Sequence, residues 1–107
     1  MKHFLPLLLF VSIVFPQKEY NIKHIIEQDS IYYKKFSDEV VNGRIYEMRD
    51  DIKVSLGKMK DGKKDGKWTR WYNNGRKELE GTYKKGRRYG LWTIYMEDDW
   101  KLSEIKY

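Results

Sequence analysis

The chain contains no cysteine, so it can form no disulfide and cannot carry a cysteine-linked lipid anchor. Histidine is nearly as scarce. His3 lies in an apolar N-terminal stretch, which leaves His24 as the one histidine of the remaining chain. A zinc site therefore lacks its usual ligands. Asp29 and Ser30 follow His24, but nothing in the sequence makes the three side chains converge as a catalytic triad requires.

Two further signatures of ligand binding are also missing. Residues 62–67 combine two glycines with several lysines, but they lack the closing Gly-Lys-Ser/Thr order of a phosphate-binding loop and open a predicted strand. The acidic pairs Asp50-Asp51 and Asp98-Asp99 lack the ligand spacing of a calcium loop, and we interpret them as solvated turns. We predict that the protein is not an enzyme and has no catalytic residue, metal site or cofactor.

The first 16 residues have the pattern of a secretory signal peptide. Lys2 and His3 form a short basic leader, and the apolar run from Phe4 to Phe15 is shorter than the roughly 20 residues of a membrane-spanning helix. We predict a signal peptide over residues 1–16, a linker over residues 17–30, and export to the periplasm, the cell surface or the medium. An uncleaved N-terminal anchor is the alternative, because no small-x-small cleavage pair precedes Gln17.

The rest of the chain repeats itself at an offset of 24 positions. The stretch GKWTRWYNNG, at residues 66–75, returns in altered form as GLWTIYMEDD at residues 90–99, and a weaker copy begins at Asn42. A period in the low twenties is typical of proteins in which each repeat is one supersecondary unit that buries its apolar face only against its neighbours. We divide the sequence into about three units, residues 33–56, 57–80 and 81–107.

Within these units, runs rich in Tyr, Trp, Thr, Ile and Val alternate with turn residues, as in strands joined by tight turns. The sequence therefore predicts an all-β fold, an antiparallel β-meander of stacked hairpin repeats over residues 31–107. The aromatic fraction of 16% would supply its thin core. We assign an architectural role to the glycines and rings that recur in register: Gly43, Gly57, Gly62, Gly66, Trp68, Trp71, Gly75, Gly81, Gly86, Gly90, Trp92 and Tyr95.

The turn and strand glycines allow more detailed predictions. Asn74-Gly75 is the strongest local hairpin signal, since a type I′ turn requires positive φ at both central residues. Gly62 and Gly86 are expected in the next set of turns for the same reason. Gly66 and Gly90 each stand two residues before a tryptophan, and we expect them to let a neighbouring ring lie against bare backbone.

The pattern G-x-W-x-x-[WY]-x-x-[ND]-G, followed by a glycine that opens the next strand and a [KR]-x-G turn, resembles the MORN repeat. It is most similar to the bacterial variant in the YwqK-family antitoxins, and the likeness extends from Ile31 to Tyr107. That resemblance implies stacked β-hairpins and a protein that neutralises a toxin by direct binding. Asp50-Asp51 and Asp98-Asp99 depart from the family's Asn-Gly or Asp-Gly, so we expect these turns to differ in type.

The net charge of +6 is unevenly distributed, because residues 58–88 hold twelve Lys and Arg against four Asp and Glu. Such a surface attracts anionic partners, although lysines on exposed strands also prevent edge-to-edge pairing of sheets. Anionic lipid or a cell-envelope polymer would be its ligand, and nucleic acid is not favoured because the rings are expected to pack between repeats. The candidate binding patch comprises Lys60, Lys63, Lys64, Arg70, Lys84, Lys85, Arg87 and Arg88.

We predict an exported, non-enzymatic interaction module that binds a protein partner through its sheet face or terminal edge. Tyr and Trp are abundant on this predicted sheet, and they are enriched at the hot spots of protein interfaces. Oligomerisation through an open C-terminal edge, at the strand that ends with Tyr107, is a further expectation. The alternatives are an antitoxin-like protein and a binder of anionic lipid or envelope polymer through residues 58–88.

Overall fold

The computed structural model describes residues 17–98 and 101–107, and the predicted all-β fold is confirmed. The predicted signal peptide, residues 1–16, lies outside the described residues. Within the described part, no helix is long and apolar enough to cross a membrane. The strands are β1 (Glu19–Asn21), β2 (Ile25–Gln28), β3 (Ile31–Lys34), β4 (Gly43–Arg49), β5 (Ile52–Lys60), β6 (Lys63–Trp71), β7 (Lys77–Lys84), β8 (Arg87–Tyr95) and β9 (Lys101–Lys106).

Strands β4 to β9 form an antiparallel meander, in which each strand pairs with the next strand of the chain. Strand β1 extends this sheet on the outer side of β4, in parallel, with Tyr20 opposite Ile45. Strand β9 forms the opposite edge. Strands β2 and β3 form a separate hairpin, and one turn of 3₁₀ helix, Ile22–His24, connects β1 to it.

Residues 17–30, which we expected to be a linker, belong to the folded domain. Tyr20 is 7% exposed and Ile25 is 6% exposed, and the Tyr20 hydroxyl donates a hydrogen bond to the Glu39 carboxylate. Their apolar partners are distant in the sequence, so the largely polar composition of this segment did not predict the burial of Tyr20 and Ile25. The buried cluster consists of Tyr20, Ile25, Val41, Ile45, Met59 and Trp68. This cluster lies among β1 to β6, and Trp92 of β8 is a further buried residue outside it.

The glycine turns are of two types. Asp61-Gly62 and Lys85-Gly86 have positive φ at both residues (52° and 76°, 51° and 81°), which is the type I′ pattern. In the Asn74-Gly75 hairpin only the glycine has positive φ, 87°, so the predicted type I′ turn is not formed. A longer loop closes instead through a hydrogen bond of 3.0 Å from the Gly75 N–H to the carbonyl of Tyr72.

The acidic turn between β4 and β5 differs in type from these, as expected. Asp50 has positive φ, 53°, whereas Asp51 does not, and the flanking residues Arg49 and Ile52 still pair. This differs from the two positive φ values of the type I′ turns, and positive φ is a conformation that Asp tolerates better than most residues with a Cβ. The second acidic turn cannot be compared, because Asp99 lies outside the described residues.

Two tryptophan rings lie against glycines of the preceding strand. A Cβ atom on Gly57 would come within 2.4 Å of the Trp68 ring, and one on Gly81 within 2.0 Å of the Trp92 ring. Each indole N–H donates to the backbone carbonyl of the residue that follows the glycine, at 2.9 Å and 3.2 Å respectively. Glycine is therefore required at both positions to admit the ring, and the arrangement recurs at the offset of 24.

Gly66 and Gly90 do not have the role that we expected for them. A Cβ on Gly66 would meet only the side chain of Lys58, at 3.1 Å, and a Cβ on Gly90 would meet nothing within 4 Å. Both have positive φ, 74° and 69°, a conformation that most L-residues avoid. Gly66 and Gly90 therefore supply a backbone conformation within the strand that carries the tryptophan, and the glycine under each ring lies on the neighbouring strand.

Candidate functional site

Strands β5 and β6 separate beyond their shared turn. Each is nine residues long, yet they pair at only three positions, from Lys60 opposite Lys63 to Lys58 opposite Asp65. Further from the turn, the indole N–H of Trp71 donates to the backbone carbonyl of Ser55 at 3.0 Å. Tryptophan side chains thus bridge strands where the backbone ladder has stopped.

A groove with a volume of about 280 Å³ lies beside this separation. It is lined by the buried rings of Trp68 and Trp92 and by four half-buried apolar side chains from the 3₁₀ turn, β5, β6 and β7: Ile22, Leu56, Trp71 and Leu79. The groove is open to solvent on the side of the half-buried residues. Charged side chains also line it, namely Glu47, Arg49, Lys64, Arg70 and Arg88. An apolar floor beside fixed charges is suited to binding a segment that carries both apolar and polar groups.

Arg49 holds one side of the groove in place. Its guanidinium donates to the carbonyl oxygens of Tyr72 and Trp71 at 2.6 Å and 2.9 Å, and it also pairs with Glu47 at 3.3 Å. These bonds link β4 to the far end of β6, across the strand that lies between them. The planar fork of arginine suits two neighbouring carbonyls, which a lysine cannot contact in the same way.

An edge-to-face row of rings runs along the same sheet, towards β9. The centroids of Trp68 and Tyr83 are 6.1 Å apart, those of Tyr83 and Trp92 are 5.0 Å apart, and those of Trp92 and Tyr107 are 6.2 Å apart. Trp68 and Trp92 are only 8% and 2% exposed. The tryptophan rings of this row therefore serve mainly to pack the sheet.

Two cations of the candidate patch cover this row and are bound to it. The Lys64 ammonium lies 5.0 Å from the Trp68 centroid and 5.1 Å from that of Tyr83. The Arg88 guanidinium lies 4.8 Å from the Trp92 centroid and donates to the Tyr107 hydroxyl at 2.8 Å. Cation–π contacts of this kind stabilise a partly exposed ring. The charges of Lys64 and Arg88 thus have a structural role besides any role in binding.

The basic patch that the sequence indicated over residues 58–88 is not one continuous surface. Arg70 lies at the far end of β6 and pairs with Glu78 at 2.7 Å, while Lys58 and Lys67 pair with Asp65 and Glu80. A second group lies around the two type I′ turns and has no acidic partner within 4 Å among the described residues. This group, which we term the basic end, consists of Lys60, Lys63, Lys84, Lys85 and Arg87.

The ion-pair network around Glu80 gives the sheet a pH-dependent contribution to stability. Burial raises the pKa of Glu80, but hydrogen bonds from Lys77 at 2.8 Å and Lys67 at 3.3 Å outweigh burial and hold the pKa below its ordinary value of 4.5. A carboxyl whose pKa is lower in the folded than in the unfolded chain stabilises the fold above the unfolded-state pKa. This contribution is lost as the pH falls through the folded-state pKa.

We therefore expect Glu80→Gln to lower the free energy of unfolding by about 1 kcal/mol at neutral pH. The difference between variant and parent should shrink as the pH falls below the ordinary glutamate pKa, because the parent's carboxyl is then protonated too. Urea unfolding at a series of pH values from neutral to acid measures it. A difference that stays constant down to acid pH would contradict this account of Glu80.

The structure gives the arrangement of the possible metal ligands, and it places beside the groove residues that the sequence did not indicate. Among residues 17–98 and 101–107, no group of three His, Cys, Asp or Glu side chains is placed to hold a metal ion. Sequence reasoning missed Ile22, Leu56 and Leu79 as groove residues. Leu79 is the one apolar residue of the stretch KELEG, and only its pairing with Arg70 and Ile94 gives it a place beside the groove.

The chain matches no family model, no curated protein and no solved structure.

Proposed function

We propose that this chain is an exported, non-enzymatic interaction module of the MORN-repeat type, which binds a protein partner through the groove between β5 and β6. The observation that carries the proposal is the groove itself. It has half-buried apolar walls and several charged side chains. These apolar side chains remain accessible to solvent, whereas the large rings of Trp68 and Trp92 in the same sheet are buried. Protein interfaces combine these features, with an apolar centre and a polar rim.

The recurring tryptophan contacts support the repeat-type assignment. Trp68 on Gly57 and Trp92 on Gly81 share the same ring-to-glycine contact, and both indole N–H groups donate to the residue after that glycine. Hydrogen bonds between the ends of successive units also recur. The Tyr72 hydroxyl donates to the carbonyl of Tyr95, 23 positions further along the chain, at 2.7 Å. The Arg49 guanidinium donates to the carbonyl of Tyr72, also 23 positions further along, at 2.6 Å. Contacts that link each unit to the next are typical of repeat proteins.

A charge placed on the groove wall should abolish partner binding while the sheet remains folded. We expect Leu79→Asp to lose the partner, because a carboxylate in the apolar groove must be desolvated when the partner docks. The matched control is Leu91→Asp, since Leu91 is 52% exposed and does not line the groove. A photo-crosslinking amino acid at position 79, and another at position 91, would identify the partner and measure the difference in living cells.

The outcome is read against thermal unfolding of both variants, which separates loss of binding from loss of fold. Crosslinks to one protein from position 79 and none from position 91 would support the groove. If the two positions crosslinked the same proteins equally, or if Leu79→Asp kept full binding, the groove would not be the binding site.

A further inference from the structure

We infer that a depression at the far end of β6, opposite the basic end, binds a neutral sugar, a pyranose with adjacent free hydroxyl groups. The depression lies around the loop that joins β6 to β7 and has a volume of about 400 Å³, which is a usual size for a small-molecule site. The site does not depend on the groove, although Trp71 borders both. Two aromatic rings, two side-chain amides and two carboxylates line it: Trp71, Tyr72, Asn73, Asn74, Glu78 and Glu97.

The two rings of this depression are held in place by hydrogen bonds within the protein. The Trp71 indole N–H donates to the carbonyl of Ser55 at 3.0 Å, and the Tyr72 hydroxyl donates to the carbonyl of Tyr95 at 2.7 Å. Both side chains are half-buried, so part of each remains open to solvent. The C–H groups on one face of a pyranose pack against aromatic rings, because these offer a flat apolar surface. Rings that are already fixed lose little freedom when a sugar docks.

The two asparagines of the loop differ in their hydrogen bonds. The Asn74 side chain accepts from the Arg76 N–H at 2.9 Å and donates to the carbonyl of Glu97 at 3.0 Å, so it holds the loop in shape. The exposed amide of Asn73 has no hydrogen-bond partner among the described residues. A side-chain amide offers a donor and an acceptor side by side, which match two adjacent hydroxyl groups of a sugar.

The carboxylates indicate the charge of the ligand. Glu78 accepts from the Arg70 Nε at 2.7 Å, whereas the Glu97 carboxylate has no such partner in the part of the chain that the structure describes. The six lining residues include no lysine or arginine, so a phosphate or a sugar acid would meet negative charge without a compensating cation. An organic cation would pair with Glu97 but would leave the amide donor of Asn73 without an acceptor. A sugar hydroxyl can donate to the carboxylate and accept from the amide, so a neutral sugar satisfies both groups.

NMR of the amide and indole N–H groups of the full-length protein tests the site. The probes are the methyl glycosides of glucose, galactose, mannose and N-acetylglucosamine. With at least one of them, we expect the signals of the Trp71 indole and the Asn73 side-chain amide to shift, while the indole signal of Trp68, in the groove, stays in place. Added salt should leave the affinity unchanged, because the neutral ligand forms no ion pair.

A pair of double variants tests the polar contacts. Asn73→Ala with Glu97→Ala removes the two unpartnered polar groups and should weaken binding at least about tenfold, because two hydrogen bonds are lost and one of them involves a charged group. Gln28→Ala with Glu27→Ala is the matched control, since it removes one exposed amide and one exposed carboxylate from β2, away from the depression. We expect the control to change the affinity by less than about twofold. None of these four residues lines the groove, so loss of sugar binding is separate from loss of a protein partner.

The titration of the parent protein decides the inference even if a variant fails to fold. No shift with any of the four glycosides would overturn it, and so would shifts of the Trp68 indole without those of Asn73. Equal losses from the two folded double variants would also overturn it. Tetramethylammonium chloride is the comparison ligand. If it shifted the signals of Trp71 and Asn73 while the glycosides did not, the site would bind cations and the sugar assignment would be wrong.

Discussion

Replacing Gly81 by alanine should destabilise the protein by about 3 kcal/mol, at the upper end of the cost of over-packing. The added Cβ would lie 2.0 Å from the Trp92 ring, which the hydrogen bond to the carbonyl of Thr82 and the flanking ring of Tyr83 hold in place. Gly81 does not have positive φ, so alanine fits the backbone there and would otherwise be neutral or stabilising. Urea unfolding measures the change.

Gly75→Ala is the matched control for this prediction. Gly75 has φ of 87° with nothing within 4 Å of the position of a Cβ, so alanine there meets conformational strain but no ring. We expect a cost of about 1 kcal/mol from the left-handed backbone alone. If the two glycine variants unfolded at the same urea concentration, steric contact with Trp92 would not be what requires glycine at position 81.

Removing either buried tryptophan should have the largest effect of any single truncation. Trp92→Ala and Trp68→Ala should each lower the free energy of unfolding by about 3–5 kcal/mol, since both rings are almost fully buried and each carries a hydrogen bond across strands. The loss should be cooperative, so that circular dichroism and tryptophan fluorescence report the same unfolding midpoint.

Trp71→Ala provides the comparison for these variants. All three tryptophans line the groove, but Trp71 is only half-buried, and its indole also donates to a backbone carbonyl. We expect less than half the loss of stability from it, together with a change in partner binding. If Trp68→Ala and Trp92→Ala melted like the parent while abolishing binding, those two rings would be binding residues and the architectural role given to them would be wrong.

Much of the fold follows from local chemistry that the sequence displays. Alternating runs of β-branched and aromatic residues predicted the strands, and the two-residue turns at Asp61-Gly62 and Lys85-Gly86 have the positive φ that such a turn needs. The regular spacing of glycine and tryptophan did not show which glycine lies under which ring, because Gly57 and Gly81 are on the neighbouring strands.

The remaining features depend on contacts between distant parts of the chain. Residues 17–30 have few apolar side chains, and the burial of Tyr20 and Ile25 requires partners from β4 and β5 that no local pattern reveals. The basic patch was counted along the sequence, where paired and unpaired cations look alike. Only the sheet register places Arg70 beside Glu78 and leaves Lys85 without an acid. The groove lies beside the point at which β5 and β6 stop pairing, a feature of strand register that the sequence does not display.

The packing of tryptophan on glycine is the central claim of this account, because it builds the sheet on which the groove and the basic end lie. A double-mutant cycle of Gly81→Ala with Trp92→Leu tests it most directly. In the leucine background the Cβ at position 81 meets no ring, so the cost of Gly81→Ala should fall from about 3 kcal/mol to below about 1 kcal/mol. The same cost in both backgrounds would contradict the claim.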